Sequence, residues 1–296
     1  MTQKRSSFEG CMTALVTPFK KGAVDLDALT QLVEWQIASG IDGLVAVGTT
    51  GESATLTVDE HVAVIRHVVK VTAGRVPVIA GAGGNATTEA LALSKASEDA
   101  GADALLHVTP YYNRPTQDGL HAHFTAVADA TDLPVMLYDI PGRTGTAIAS
   151  ETLIRLADHP RIAAVKDAKG DLWAATHVLD ATDLLWYSGD DVLTLAHLAQ
   201  GAVGYVGVTT HVAGTEYAAM LAAVDAGDLP EAIALHRRLI PVVDAVMNTS
   251  QGAIMAKAAL KELGVIDSAA VRLPLIESPP EHLTALRKAL STSGIS

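Results

Sequence analysis

The chain has 296 residues, 49% of them hydrophobic, which is enough for one large barrel with an appendage or for two ordinary domains. A formal net charge of −12, with no Lys/Arg run longer than a pair, argues against nucleic-acid and anionic-membrane partners. Cys11 is the only cysteine, Met1–Gly10 lacks the apolar core of a signal peptide and no stretch is long enough to span a membrane, so we expect a cytoplasmic protein.

Eight short apolar runs, bounded by Gly, Pro or Asp, predict strands along the first three quarters of the chain. They lie at Met12–Phe19, Gly43–Gly48, Val76–Gly83, Ala102–Pro110, Pro134–Ile140, Ile162–Ala168, Leu184–Asp190 and Gly204–Thr210. Helical spacing of apolar residues follows, with examples at Leu26–Ala38, Asp59–Thr72, Thr87–Ala100 and Ser150–Ala157. Alternating strands and helices of this length predict an α/β fold.

Eight βα units predict a closed (β/α)8 TIM barrel over residues 1–227. A doubly wound parallel sheet built from similar units is the alternative. Beyond Gly227 the pattern is helical only, which predicts a C-terminal helical domain over residues 228–296 whose charged faces are solvated. Its helices are expected at Leu229–Met247, Ala253–Leu263 and Pro280–Leu290.

In a barrel enzyme the chemistry lies where the strands end and the following loops begin. The second predicted strand runs into Gly48–Ser53, where the paired hydroxyls of Thr49 and Thr50 and free backbone N–H groups could bind a carboxylate. The fourth runs into Tyr111–Pro115, and the fifth carries Tyr138 and a Pro-Gly-Arg turn.

Lys166 stands within an otherwise apolar strand. Alternation places it on one face with Ala164 and Ala168, whose small side chains leave room for a long one inside a barrel. Burial would favour the neutral amine, which can attack a carbonyl and form a Schiff base. The alternative is a charge that protects an edge strand or reaches solvent. Because a closed barrel has no edges, we favour the nucleophile.

Two residues of the fifth strand region could assist such a lysine. The Tyr138 hydroxyl could move protons if hydroxyls such as those of Thr50 and Tyr112 link it to substrate or solvent. The planar fork of Arg143 suits a substrate carboxylate. The ordinary alternatives are a packed tyrosine and a solvated loop arginine.

Other sites are not supported by the sequence. A phosphate-binding Gly-rich loop ending in Lys-Ser/Thr is missing, and Gly81–Asn85 does not have dinucleotide-binding spacing. His121 and His123 are two positions apart on a predicted helix and so face different sides, which argues against metal binding.

The chain resembles the dihydrodipicolinate synthase and N-acetylneuraminate lyase family over nearly its whole length. The resemblance is carried by motifs in the same order and spacing, at Gly48–Ser53, Thr109–Pro115, Leu137–Gly145, Val165–Ala168 and Ser188–Asp191. It implies a (β/α)8 aldolase that condenses pyruvate with L-aspartate 4-semialdehyde on the diaminopimelate and lysine pathway, and it implies no metal or organic cofactor.

The resemblance also implies residue roles. Lys166 would form the Schiff base with pyruvate, while Thr49 and Thr50 would bind its carboxylate or join a proton relay with Tyr138. Tyr112 would complete the relay from a neighbouring subunit of a homotetramer.

Three further residues would contact the substrates. Arg143 would hold the carboxylate of the semialdehyde, and Gly189 and Val206 would line the pocket through their backbones. Asp139 departs from the asparagine that many relatives carry.

Feedback inhibition by L-lysine is a further hypothesis from the resemblance. The residues that match the effector site of inhibited relatives are Ser53, Ala54, His61, Asn85, Glu89 and Tyr111. Val58 departs from the histidine of some inhibited members. The alternative is that these polar residues cap helices and pack at a subunit interface.

Three rival functions remain at the level of sequence. The chain could be another pyruvate-dependent aldolase of the same family that acts on a sugar acid or an aromatic aldehyde. It could also be a catalytically silent barrel that binds a keto acid, or a metal-dependent aldolase.

Overall fold

A computed structural model describes residues 8–295 of the chain. Met1–Ser7, which make up most of the segment searched for a signal peptide, lie outside the described residues, as does Ser296. Within the described part, no helix combines the length and the apolar character needed to cross a membrane.

Eight parallel strands close into a barrel in which each strand pairs with its neighbours in sequence and β1 pairs with both β2 and β8. The strands are β1 (Gly10–Ala14), β2 (Gly43–Ala46), β3 (Val78–Gly81), β4 (Ala104–Val108), β5 (Val135–Asp139), β6 (Ile162–Asp167), β7 (Leu185–Ser188) and β8 (Gly204–Gly207). The predicted TIM barrel is confirmed. The doubly wound alternative is wrong because the pairing of β1 with β8 leaves the sheet closed.

Each strand is followed by a helix on the outside of the barrel. These helices are α1 (Leu26–Ala38), α2 (Val58–Thr72), α3 (Thr87–Asp99), α4 (Gln117–Asp129), α5 (Ser150–Ala157), α6 (Leu172–Ala181), α7 (Thr194–Ala199) and α8 (Thr210–Asp225). A hairpin of Phe19–Lys20 with Ala23–Val24 precedes α1, and a short helix, Pro141–Thr144, follows β5. The α1 and α5 bounds match the predicted ranges.

Every predicted strand runs beyond the observed ladder. The first strand ends at Ala14 although the apolar run continues to Phe19, and the fourth ends at Val108, before buried Thr109 and Pro110. The loops after these strands are buried without being paired in the sheet, so their sequences are as apolar as those of the strands. Hydrophobic residues here indicate which residues are buried, and they do not indicate where strand pairing ends.

The strand residues alternate between the barrel interior and the layer of helices. Met12, Val45, Ile79 and Tyr187 belong to the interior cluster. On β6, Ala164 faces the same interior, whereas Val165 packs outward with residues of α4 and α5. The interior is therefore filled with side chains, and a ligand of substrate size is expected at the C-terminal ends of the strands.

The C-terminal segment is helical, with α9 (Leu229–Val243), α10 (Gly252–Glu262) and α11 (Pro280–Thr292). The predicted helix Leu229–Met247 changes to a π-helical turn at Asp244–Asn248, just after Pro241. Residues of all three helices belong to the same hydrophobic cluster as β2 and α2. The division into domains at residue 227 stays a prediction.

One expectation about this segment is wrong. Lys257 on α10 is not solvated but fully buried, and it forms an ion pair with Glu52 in the loop after β2. A buried ammonium group requires such a partner because unpaired burial of a charge costs several kcal/mol.

Candidate active site

Lys166 and Tyr138 lie side by side at the C-terminal ends of β6 and β5. The strand register pairs Lys166 with Tyr138 on one side and with Tyr187 on the other. The Lys166 Nζ atom is 4.3 Å from the centroid of the Tyr138 ring, and the lysine is only 4% exposed. The interior position predicted for this lysine by strand alternation is thus observed.

Burial changes the acid–base chemistry of Lys166. It lowers the pKa of the amine from 10.5 to about 8, against the opposing effect of the Asp191 carboxylate and with the help of the Arg143 guanidinium. At pH 7 about one amine in ten is then neutral, compared with fewer than about one in a thousand for an ordinary lysine. The amine is accordingly prepared for attack on a carbonyl carbon.

Gly189 leaves the space that the Lys166 side chain occupies. A Cβ atom at position 189 would lie 2.8 Å from Lys166 Cγ and 3.0 Å from its Cε. The backbone N–H of Gly189 donates to the Asp167 carbonyl at 2.7 Å, which fixes this close approach. Val206, on β8, is buried in the barrel interior.

Tyr138 is buried, and this burial raises the pKa of its hydroxyl, which therefore stays protonated and able to donate. Asp139, the next residue, faces the other side of the strand. There its carboxylate lies 3.7 Å from Lys169 Nζ and accepts from the Ile148 backbone N–H at 3.2 Å. Burial raises the pKa of Asp139 to about 7 despite Lys169.

The paired threonines belong to a single 3₁₀ turn, Thr49–Gly51, which begins three residues after the end of β2. The turn is closed by the Gly51 N–H, which donates to the Gly48 carbonyl at 3.0 Å. Thr49 and Thr50 are half-buried, and Glu52 follows in a left-handed conformation with φ of 56°. Carboxylate binding by the hydroxyl groups of this turn stays a prediction.

A cavity of about 710 Å³ opens at this end of the barrel, and Thr49 and Arg143 both line it. A second cavity of about 30 Å³ adjoins it and is lined by Tyr138 and Thr49. Lys166 lines neither cavity and lies deeper, against Tyr138. Thr49 and Arg143 therefore line the larger cavity, Tyr138 reaches the smaller one, and Lys166, Gly189 and Val206 line neither.

The residues predicted for an effector site adjoin the same cavity. Five of the six line it, namely Ser53, Ala54, His61, Glu89 and Tyr111, and so does Val58. The Asn85 side chain donates to the Tyr111 carbonyl at 3.3 Å. Burial lowers the pKa of His61, whose Nε2 lies 2.7 Å from the Gly81 carbonyl, and raises the pKa of Tyr111 with help from the Glu89 charge.

Tyr112 is not brought to the other predicted residues within one chain. Its side chain is 90% exposed, and its backbone is left-handed with φ of 74°, which is uncommon for a bulky residue. The loop is held by the Tyr112 N–H, which donates to the Thr144 carbonyl at 3.4 Å, and by Arg114 Nε, which donates to the Gly145 carbonyl at 3.2 Å. The aromatic ring is thus directed away from the body of its own chain.

The two histidines considered for metal binding are separated. The buried His123 places Nδ1 2.9 Å from the Thr87 hydroxyl and packs edge-on against Phe124, while His121 is half-buried. Over residues 8–295, no group of three or more His, Cys, Asp or Glu side chains has the arrangement of a metal site.

Sequence reasoning gave no role to Asp191, although its motif was recognised. Its carboxylate is buried, accepts from the Thr209 N–H at 2.7 Å and raises the pKa of Lys166. A second acidic residue beside Asp190 in a strand-end loop was the available signal. The sequence also did not predict the ion pair of Glu52 with Lys257. The available signal was the single charge of Lys257 within the apolar run of α10.

Comparisons with known proteins agree on one family. The model of the Dihydrodipicolinate synthetase family matches residues 7–293. The 4-hydroxy-tetrahydrodipicolinate synthase of Kineococcus radiotolerans is 53% identical over 289 residues, which cover 97% of this chain and 94% of that protein.

Two solved structures are also similar. A chloride-inhibited dihydrodipicolinate synthase from Acinetobacter baumannii, complexed with pyruvate, has a TM-score of 0.94 and 42% identity, covering 97% of this chain and 99% of that one. A dihydrodipicolinate synthase from Cyanidioschyzon merolae with lysine bound has a TM-score of 0.95 and 43% identity, covering 98% and 99%.

Proposed function

The chain belongs to the dihydrodipicolinate synthetase family, and on that premise we propose that it condenses pyruvate with L-aspartate 4-semialdehyde, as a 4-hydroxy-tetrahydrodipicolinate synthase of lysine biosynthesis. The observation that carries this proposal is the buried Lys166, with its lowered pKa, against Tyr138 at the open end of the barrel. A cytoplasmic location, with Cys11 as the only cysteine of the chain, is part of the proposal.

The reaction begins when the neutral Lys166 amine attacks the keto carbon of pyruvate. Loss of water gives an imine, and loss of a methyl proton gives the enamine, whose carbon adds to the aldehyde of the second substrate. The substrate's own amine then displaces Lys166 and closes the ring. Tyr138, whose ring centroid lies 4.3 Å from Lys166 Nζ, moves protons through its protonated hydroxyl, together with Thr50, at the first and last steps.

Carboxylates are held at two places near the mouth. The Thr49–Gly51 turn receives the pyruvate carboxylate through hydroxyl and backbone donors. Arg143 receives the carboxylate of the semialdehyde with its planar fork of donors, since it lines the cavity and its charge already reaches Lys166. A binding place for a second carboxylate favours the semialdehyde, which carries one, over a neutral aldehyde.

The proposed active unit contains more than one chain. Tyr112 has an aromatic ring that is 90% exposed and directed away from its own chain. We assign it to the active site of a neighbouring copy, where its hydroxyl completes the relay with Thr50 and Tyr138, and we expect a homotetramer built from such pairs.

The test is reduction with borohydride in the presence of pyruvate, followed by mass measurement of the intact chain and peptide mapping. Wild type should gain one pyruvyl group on Lys166, and Lys166→Ala should gain none. Lys257 is the internal control because it is also buried and its pKa is also lowered to about 8, yet it lies on α10 in an ion pair with Glu52 and not beside Tyr138.

The outcomes separate the rival functions. An adduct on Lys166 with turnover of L-aspartate 4-semialdehyde supports the synthase. An adduct without that turnover moves the substrate to a sugar acid or an aromatic aldehyde, and an adduct with no turnover of any aldehyde indicates a silent keto-acid-binding barrel. Absence of an adduct, or its appearance on Lys257, contradicts the proposal.

L-Lysine is proposed as an effector of the same protein. Its ammonium groups suit Glu89, which lines the cavity with His61 and Tyr111, and a related structure carries bound lysine. We expect millimolar L-lysine to inhibit wild type and to require an at least tenfold higher concentration for Glu89→Gln, because a charge-assisted hydrogen bond is lost. Asp59→Asn on the exposed start of α2 is the control. A flat inhibition curve for wild type removes the hypothesis.

A further inference from the structure

Glu52 joins the Thr49–Gly51 turn to a second 3₁₀ turn, Ser53–Thr55, in the loop after β2. Its backbone is left-handed, and its N–H donates to the Thr49 carbonyl at 3.1 Å. Its own carbonyl accepts from the Thr55 N–H at 3.0 Å. A non-glycine residue in this conformation persists only where surrounding contacts hold it. The position of the Thr49–Gly51 turn therefore depends on what holds the Glu52 side chain.

The Glu52 carboxylate is held by residues more than 200 positions later in the chain. Lys257 Nζ on α10 donates to one carboxylate oxygen, and the Arg272 backbone N–H donates to the other at 2.9 Å. The Lys257 ammonium also donates to the Ala270 carbonyl at 2.8 Å and lies 4.1 Å from the centroid of the Phe19 ring. The side chains of both members of the ion pair are at most 1% exposed.

Two additional contacts hold the backbone on either side of Glu52. The Thr17 hydroxyl donates to the Gly51 carbonyl at 2.7 Å. The Arg272 guanidinium donates to the Thr55 carbonyl at 2.9 Å. We refer to Thr17, Lys257 and Arg272 as the turn clamp, because together they fix the backbone from Gly51 to Thr55.

We propose that the turn clamp positions the hydroxyls of Thr49 and Thr50 for the carboxylate of the keto acid, an inference that rests on the proposed function. None of its members lines the cavity, so they act through the turn and are positioning residues. Removal of the Lys257 charge leaves the buried Glu52 carboxylate without its counterion, and we expect the side chain to shift as a result. Because the Glu52 N–H donates a hydrogen bond to the Thr49 carbonyl, the Thr49–Gly51 turn moves with Glu52.

The test measures the pyruvate concentration that gives half-maximal borohydride trapping on Lys166, together with the KM for the semialdehyde. Lys257→Met keeps the length of the side chain and removes its charge. We expect its half-maximal pyruvate concentration to rise about tenfold, since small misplacement of binding groups has effects of this size or larger. The semialdehyde KM should stay within about twofold, because Arg143 lies on another loop, after β5.

Two further variants keep the inference open to contradiction. Thr17→Val preserves shape and removes only the hydrogen bond to Gly51, so it should raise the half-maximal pyruvate concentration about threefold even if Lys257→Met does not fold. Glu262→Gln on the same helix loses an exposed ion pair with Arg287 and should behave as wild type.

An unchanged half-maximal concentration in Thr17→Val, or in folded Lys257→Met with only a lowered melting temperature, overturns the positioning role while the function stands. A wild type that forms no adduct at all removes the proposed function and the clamp's role with it.

Discussion

The burial of Lys166, which its chemistry requires, lowers the stability of the folded state. Burial lowers the pKa of its amine from 10.5 to about 8, so the folded chain binds the proton less tightly than the unfolded chain does. Such a shift corresponds to on the order of 3 kcal/mol against folding. The penalty is fully present below about pH 8 and disappears as pH rises towards the unfolded pKa.

Lys166→Met should therefore stabilise the protein while it removes the pyruvate adduct. We expect the free energy of unfolding at pH 7 to increase by about 1–3 kcal/mol, and the difference from wild type to shrink between pH 8 and pH 10. Chemical denaturation at three pH values measures this. Lys70→Met, at an exposed position of α2, should show no such pH-dependent difference. A Lys166→Met chain no more stable than wild type at pH 7 would contradict the assigned burial penalty.

At the scale of elements, the loop after β7 determines the space around the lysine on β6. Gly189→Ala places a methyl group 2.8 Å from Lys166 Cγ, and the lysine must leave its rotamer or the loop must move. We expect the rate of adduct formation to fall at least tenfold, measured by quenched-flow reduction with borohydride.

The matched control for that substitution is Gly142→Ala, at an exposed position of the Pro141–Thr144 helix where no atom lies within 4 Å of the new methyl. It should trap pyruvate at the wild-type rate. Equal rates in the two alanine variants would mean that Lys166 tolerates a neighbour at position 189.

Local patterns predicted those elements and residues whose surroundings are set by nearby sequence. The small residues Ala164 and Ala168 on either side of Lys166 predicted its interior position, because strand alternation is a local rule. The pairing of Glu52 with Lys257 could not be predicted in the same way, since no local rule connects residues 205 positions apart. Strand ends were overestimated because the following loops are buried as well.

The exposure of Tyr112 shows a second limit of local patterns. Its motif predicted a functional tyrosine, and the family resemblance supplied the neighbouring subunit. Under the proposed function, this ring, which is 90% exposed in one chain, has its partner atoms in another. Such a contact leaves no periodicity in the sequence.

At the scale of the whole molecule, the proposed exchange of Tyr112 between chains predicts that two inactive variants restore each other. Tyr112→Phe and Lys166→Ala should each be nearly inactive. The two variants are coexpressed with different affinity tags and purified by both. About half of the pairs in a randomly assembled tetramer are mixed, and each mixed pair contains one site of two with both groups. The purified protein should therefore recover about a quarter of wild-type activity or somewhat more.

The control is the same pair of proteins mixed after separate purification and assayed at once, which should stay inactive if subunits exchange slowly. Activity that never exceeds the sum of the two variants would place Tyr112 outside the neighbouring site.

The seam between β1 and β8 has a consequence for how the chain is made. Gly10 pairs with Gly204, so the first strand lacks its partner on one side while roughly 190 residues are synthesised. At ribosomal rates of 5–20 residues per second this takes about 10–40 s. Until the eighth strand is made, the growing sheet has two open edges, which are templates for aggregation. We therefore expect the emerging polypeptide to be most prone to aggregation until its eighth strand has been made.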